Sequence, residues 1–186
     1  MKRAVVLLAA VAPALAGCGY NKIQSLDEQV NGFQSQIEVQ LQRRADLVPN
    51  LVQTVKGFAK QELAVFDEVS QARAALGGAV KSGDLGQMAT ANQALSGALG
   101  RLIAVAEDNP DIKSDENFRM LQDQLEGTEN RIATSRGDYN DAVRAYNAYI
   151  RRFPQVLTAK VIGAKARDYF EAEQGAQEAP KVDFGN

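Results

Sequence analysis

Eleven uncharged positions recur at alternating steps of three and four residues from Phe118 to Phe153. They are Phe118, Leu121, Leu125, Thr128, Ile132, Ser135, Tyr139, Ala142, Tyr146, Tyr149 and Phe153. Heptad spacing held this long describes one long helix with an apolar stripe, and a stripe needs a partner. The positions between are mostly Arg, Asp, Glu, Gln and Asn, so the other faces want water. Ser114 is placed to cap the first turn, with Asp115 and Glu116 favoured by the helix dipole, and Phe153 before Pro154 marks the end. At 1.5 Å per residue such a rod is roughly 58 Å long. Gly127 and Gly137 within it each cost about 1 kcal/mol relative to Ala, so tertiary packing has to hold it.

The chain before the rod divides at its Gly and Pro residues. Ile23, Leu26, Val30, Phe33, Ile37 and Leu41 give a first helix over about 20–45, with a four-residue stutter at Leu41. Pro49 lacks a backbone donor and biases Val48 away from helical geometry, so the chain either turns back there, with Asp46 as cap, or kinks. A second stripe follows through Leu51, Val55, Phe58, Val65, Val69, Ala72 and Leu76, with Glu62 in the same register. Gly77-Gly78 is expected to end it, and residues 77–84 to form a loop. Asp84 then caps a shorter helix carrying Leu85, Met88, Leu95, Leu99, Leu102 and Ala106, interrupted on its seam by Asn92. Asn109-Pro110 closes that helix, and Val156 to Ala172 repeats helical spacing more weakly. The fold class is therefore all-α: an up-and-down antiparallel bundle of long helices, four in the favoured reading and three if Pro49 only kinks one rod.

The start of the chain reads as an export signal. Lys2 and Arg3 precede the apolar run Ala4 to Ala16, which is too short to span a bilayer stably. Leu15-Ala16-Gly17-Cys18 looks like the bacterial lipobox, with cleavage between Gly17 and Cys18 and lipid on Cys18, the one cysteine of the chain. Each buried methylene of an attached chain is worth about 0.8 kcal/mol, and several acyl chains together anchor stably. Residues 1–17 are thus read as signal peptide, 18–22 as lipidated linker, 23–173 as bundle and 174–186 as a polar tail. Gly19 stands where lipoproteins retained at the inner membrane usually have Asp, which favours the outer membrane in a source with two membranes.

Removing Lys2 and Arg3 takes the formal charge from −2 to −4, which argues against nucleic acid as a partner. No run of Lys or Arg exceeds two, so electrostatic binding to anionic lipid heads is not expected to dominate. The chain contains no His, and its cysteine is committed to lipid, which removes Ser-His-Asp and Cys-His nucleophiles and the usual zinc, di-iron and haem ligand sets. No cofactor is expected. Glu62, Glu107, Glu126 and Glu129 are the carboxylates left for acid/base work, each otherwise a solvated helix face. Arg44 and Glu62, polar residues on apolar seams, are candidate buried or interacting groups, and a buried charge needs a partner.

Several motifs together resemble the LemA family: Tyr20-Asn21, the run from Gln42 to Val52 (QRRADLVPNLV), Lys60-Gln61-Glu62, Ala72-Arg73-Ala74 and Glu107-Asp108-Asn109-Pro110. The resemblance continues through Phe118 to Gln122, Leu125 to Ala133, Tyr139-Asn140, Tyr146-Asn147 and Phe153-Pro154. It covers nearly all of the mature chain and implies a helical bundle at the cell membrane, usually behind an amino-terminal membrane segment that a lipobox here replaces. The family brings no agreed reaction. Three functions remain open: a lipid-anchored scaffold or adaptor for an unknown envelope protein, a ligand-binding module between helices, or a carboxylate-dependent hydrolase of envelope glycan. The oligomeric state stays open as well.

Overall fold

A computed structural model describes residues 2–58 and 62–170, with side chains from residue 19 onward. Six helices lie among these residues: α1 (Lys2–Phe58), α2 (Leu63–Ser82), α3 (Leu85–Glu107), α4 (Pro110–Ser114), α5 (Glu116–Arg151) and α6 (Gln155–Val161). The protein is an all-α bundle of long helices. The tail from residue 174 lies outside the described residues.

The first division of the chain falls later than the sequence suggested. Helix α1 runs through Pro49 without a break, and the chain ends this helix at Phe58. Four long helices result, but the hairpin at Pro49 is replaced by continuous helix, and Asp46 caps nothing; its carboxylate accepts from Gln42 Nε2, one turn back. The apolar stripe explains why the proline is tolerated. Leu41, Ala45, Val48, Leu51, Val52 and Val55 are all buried, so packing on both sides of Pro49 favours the same helical path. Residues 18–22, expected as a linker, are likewise part of α1.

Two compact units make up the structure. In the first, residues 2–40 and 130–169, the buried faces are Ile23, Leu26, Val30 and Ile37 of α1 and Ile132, Tyr139, Val143, Tyr146 and Ile150 of α5. The stripe counted on α5 is buried from Phe118 to Tyr146. Its last members drift out, with Tyr149 half-buried and Phe153 exposed, while Val143, Asn147 and Ile150 go in. A straight helix turns by about 20° per heptad against a 3.5-residue repeat, so over five heptads the core-facing line moves to its neighbours. Helix α5 stops at Arg151, and a turn with a cis Phe153-Pro154 peptide leads to the short α6. After α6, residues 164–170 belong to no helix.

The second unit comprises Leu41–Glu129 with Phe170. Here α2 and α3 form an antiparallel hairpin joined by Gly83 and Asp84 alone. Gly77-Gly78 stays inside α2, and it is Gly83, at φ 70°, that takes the left-handed conformation ending it. Asp84 caps α3 by accepting from the Gln87 amide at 2.8 Å. Phe66, Val69, Ala72 and Leu76 face Met88, Leu95, Leu99 and Leu102 in the buried set. Burying each large side chain of this kind is worth about 1.5–3 kcal/mol. Asp115, not Ser114, caps α5, its carboxylate accepting from the Phe118 amide at 2.8 Å.

Candidate functional site

Arg44 is the most deeply buried charge among the described residues, at 6% exposure on the core face of α1. Its Nη1 donates to Asn92 Oδ1 of α3 at 2.6 Å and lies 2.6 Å from Glu129 Oε2 of α5. The acid that a buried Arg44 requires is therefore Glu129, and Asn92, the polar gap on the α3 seam, is the neutral third member. Three helices of the second unit meet at this guanidinium. Such a site fixes the register of helices whose apolar faces alone would tolerate sliding.

One turn further along α1, Pro49 leaves the Ala45 carbonyl without its helical donor. Arg73 Nε of α2 donates to that oxygen at 2.8 Å. The same arginine lines a cleft of about 250 Å³ with Val48, Pro49, Val52, Gln53, Lys56 and Ser70. Both arginines belong to motifs quoted above, yet the sequence offered no way to tell that one of them answers the proline.

Glu62 departs from expectation. It is exposed, occupies the N-cap of α2 with no side-chain cap bond, and is not a buried partner of anything. The stripe that placed it on a seam was counted through Glu62 itself, which lies outside both α1 and α2, and helical phase is not carried across a non-helical residue. Glu107 and Glu126 are exposed as well. Gly17 and Cys18 precede the residues whose side chains are described.

In the first unit, a polar cluster that sequence reasoning missed holds the non-helical segment after α6. The Asn147 side chain takes both backbone groups of Arg167: Nδ2 donates to its carbonyl and Oδ1 accepts from its amide, each at 2.8 Å. Tyr139 Oη donates to the Asp168 carbonyl at 2.9 Å. The Arg167 side chain then reaches α1, with Nε 2.9 Å from Asp27 Oδ1 and Nη2 3.0 Å from Asn31 Oδ1. Burial pushes the Tyr139 phenol above its ordinary pKa, opposed by the Arg167 charge and reinforced by Asp168. Tyr146 is raised for the same first reason, with Asp27 adding to the shift and Arg167 opposing it. The available signal was Asn147, one step beside the stripe; Arg167, between Lys165 and Asp168, carried none.

These groups are tied to one another and to the backbone. None is arranged as a nucleophile with a base. Among the described residues no group of three or more His, Cys, Asp or Glu could hold a metal ion.

The comparisons with known proteins agree with the resemblance seen in the motifs. The LemA family's sequence profile matches residues 33–184, which includes the Arg44, Pro49, Arg73 and Asn147 sites. Magnetosome protein MamQ 2 of Paramagnetospirillum magneticum is 33% identical, the alignment covering 88% of this chain and 68% of that protein. Magnetosome protein MamQ of Magnetospirillum gryphiswaldense is 30% identical over the same shares. On the profile match and these relatives, the chain belongs to the LemA family.

Proposed function

We propose that this LemA-family protein is a lipid-anchored cell-envelope lipoprotein that acts as a non-enzymatic helical scaffold for other envelope proteins. The observation that carries the reading is where the polar side chains bond. Buried Arg44, Tyr139 and Asn147, half-buried Arg167 and exposed Arg73 bond to the chain itself and support the paths of its helices and of the segment after them. Polar groups used in this way serve the rigidity of the bundle and leave its surface to do the work. Anchoring rests on Leu15-Ala16-Gly17-Cys18, and the continuity of α1 past residue 18 supports an anchor coupled stiffly to the bundle.

The hydrolase alternative needs two carboxyl groups about 5–9.5 Å apart in a groove. Glu62, Glu107 and Glu126 are instead exposed, and Glu129 is engaged by Arg44. A ligand-binding module has one observation in its favour, the 250 Å³ cleft beside Pro49, which falls below the roughly 300–1,000 Å³ of ligand pockets. The scaffold reading is tested by cross-linking in intact cells, detergent extraction and purification of the chain. Stoichiometric recovery of a defined envelope protein, lost with the Cys18→Ser variant, is the expected result. Recovery of the chain alone, or glycan cleavage by the purified protein, would contradict it.

A further inference from the structure

The base of the first unit carries a surface that the scaffold reading does not use. Helix α6 packs against α1 at Gly19: a Cβ built at Gly19 would lie 3.4 Å from Thr158 Oγ1 and 3.8 Å from Gln155 Cγ. Ala159 is buried on that same side of α6. The opposite side holds Leu157 and Val161, four residues apart on one face. They are 56% and 86% exposed, and Phe153 in the preceding turn is 80% exposed. Exposed apolar side chains of this size are ordinary singly, but a cluster of them marks an interaction surface.

The charge around the cluster is of one sign. Between Asp141 and Asp168 the sequence holds six basic residues and no acid. Arg144 is paired with Asp141 and Arg167 with Asp27. Arg151, Arg152, Lys160 and Lys165 are exposed, with no carboxylate at ion-pair distance among the described residues. Tyr20, half-exposed on α1 beside Gly19, adds an aromatic at the same level. No run of basic residues exceeds two, so residue order alone argues against anionic lipid; the turn and the short helix gather separated charges around one apolar face.

We propose that Arg151 to Lys165 forms an interfacial foot on an anionic phospholipid bilayer. Phe153, Leu157 and Val161 enter the boundary between headgroups and acyl chains, at about 5–10 Å depth, and the four basic side chains meet lipid phosphates. The occupant is a membrane because α6 lies against Gly19, the residue after Cys18, where the proposed lipid anchor holds the chain, and because the charge around its exposed face complements acidic headgroups. The inference rests on that anchoring.

The chain has no Trp, so a single introduced Trp reports alone. Full-length Leu157→Trp, Val161→Trp and, as control on the exposed flank of α1, Val39→Trp are purified from membranes. Each is reconstituted into phosphatidylcholine vesicles containing a third phosphatidylglycerol, with brominated acyl chains. Emission at 157 and 161 is expected to be blue-shifted and quenched several-fold more than at 39, and the quenching to fall when Arg152→Gln and Lys160→Gln are added or phosphatidylglycerol is omitted. Red-shifted, unquenched emission from vesicle-bound protein overturns the foot. Blue-shifted but unquenched emission assigns the face to a protein contact, from the chain's own tail or a second copy, and overturns it equally. Quenching equal in both vesicle types overturns the recognition of anionic lipid, and failure of the chain to float with vesicles at all overturns the anchor beneath it.

Discussion

Arg73 Nε donates to the Ala45 carbonyl at 2.8 Å, and Ala45 is the residue whose acceptor Pro49, four positions on, cannot serve. Each explains the other: the proline creates a backbone acceptor that a side chain from α2 can reach, and the arginine makes that acceptor tolerable inside a continuous helix. An unsatisfied backbone carbonyl costs about 1–3 kcal/mol. Arg73→Ala is therefore expected to destabilise the protein by about that much, and by under about 0.5 kcal/mol when Pro49→Ala restores the helical donor. Urea unfolding of the four proteins in this cycle checks it. Equal costs of Arg73→Ala in both backgrounds would show that the arginine acts through something other than the orphaned carbonyl.

Arg44 carries a second prediction. Removing one member of a buried charge network typically costs 3–5 kcal/mol, whereas replacing the network with apolar groups of similar volume is often neutral. Arg44→Ala should fall near the lower end of that range, about 3 kcal/mol, because Glu129 is 40% exposed and can rehydrate. Arg44→Met with Asn92→Leu should cost at least about 1 kcal/mol less than Arg44→Ala. A double replacement as damaging as the single one would mean that the charge itself, rather than its isolation, stabilises the fold.

Exposed acids provide the contrast. Glu62→Ala and Glu126→Ala are each expected to shift stability by under about 0.5 kcal/mol, since neither side chain has a buried contact to lose. A loss above about 2 kcal/mol at Glu62 alone would return it to the core.

Alkaline pH tests the strap after α6. The Tyr139 phenol titrates above its ordinary 10.0 in the folded chain because burial disfavours the phenolate. The unfolded chain therefore releases this proton first. The tyrosine's contribution is fully present below pH about 10, declines as pH rises from there and is gone once the raised folded pKa is passed. Tyr139→Phe should lower stability at neutral pH by about 1 kcal/mol, through loss of the bond to Asp168, and make the alkaline decline shallower. An unchanged alkaline slope would place the titration elsewhere. Asn147→Ala should expose the Arg167 amide to hydrogen exchange at neutral pH, because it removes that amide's acceptor.

Stripes were readable from residue order because they are local, whereas of the caps Asp84 was placed and Asp46 and Ser114 were misplaced. The α5 stripe is buried from Phe118 to Tyr146, and Asp84 caps α3 as its position implied. Two kinds of error have physical causes. Pro49 was given its propensity, a turn back in the favoured reading and a kink in the other, when packing on both flanks and a guanidinium from another helix accompany a helix that runs on through it. Glu62 was given a phase counted across a break. The polar sites were half legible for a related reason: Arg44 could be named from its seam, but Glu129, 85 positions away, and the pairing of Asn147 with Arg167 depend on the folded path.

The most direct measurement of the central claim is the fate of Cys18. The envelope of cells producing the natural chain or Cys18→Ser is separated into membrane and soluble fractions, and the mature N-terminus is identified by mass spectrometry. A lipid-modified Cys18 is expected as first residue of the membrane-bound natural protein, and a folded, helical Cys18→Ser variant in the soluble envelope fraction. A Cys18→Ser variant that remains with the membrane, or a natural chain that keeps residues 1–17 with an unmodified Cys18, would contradict it.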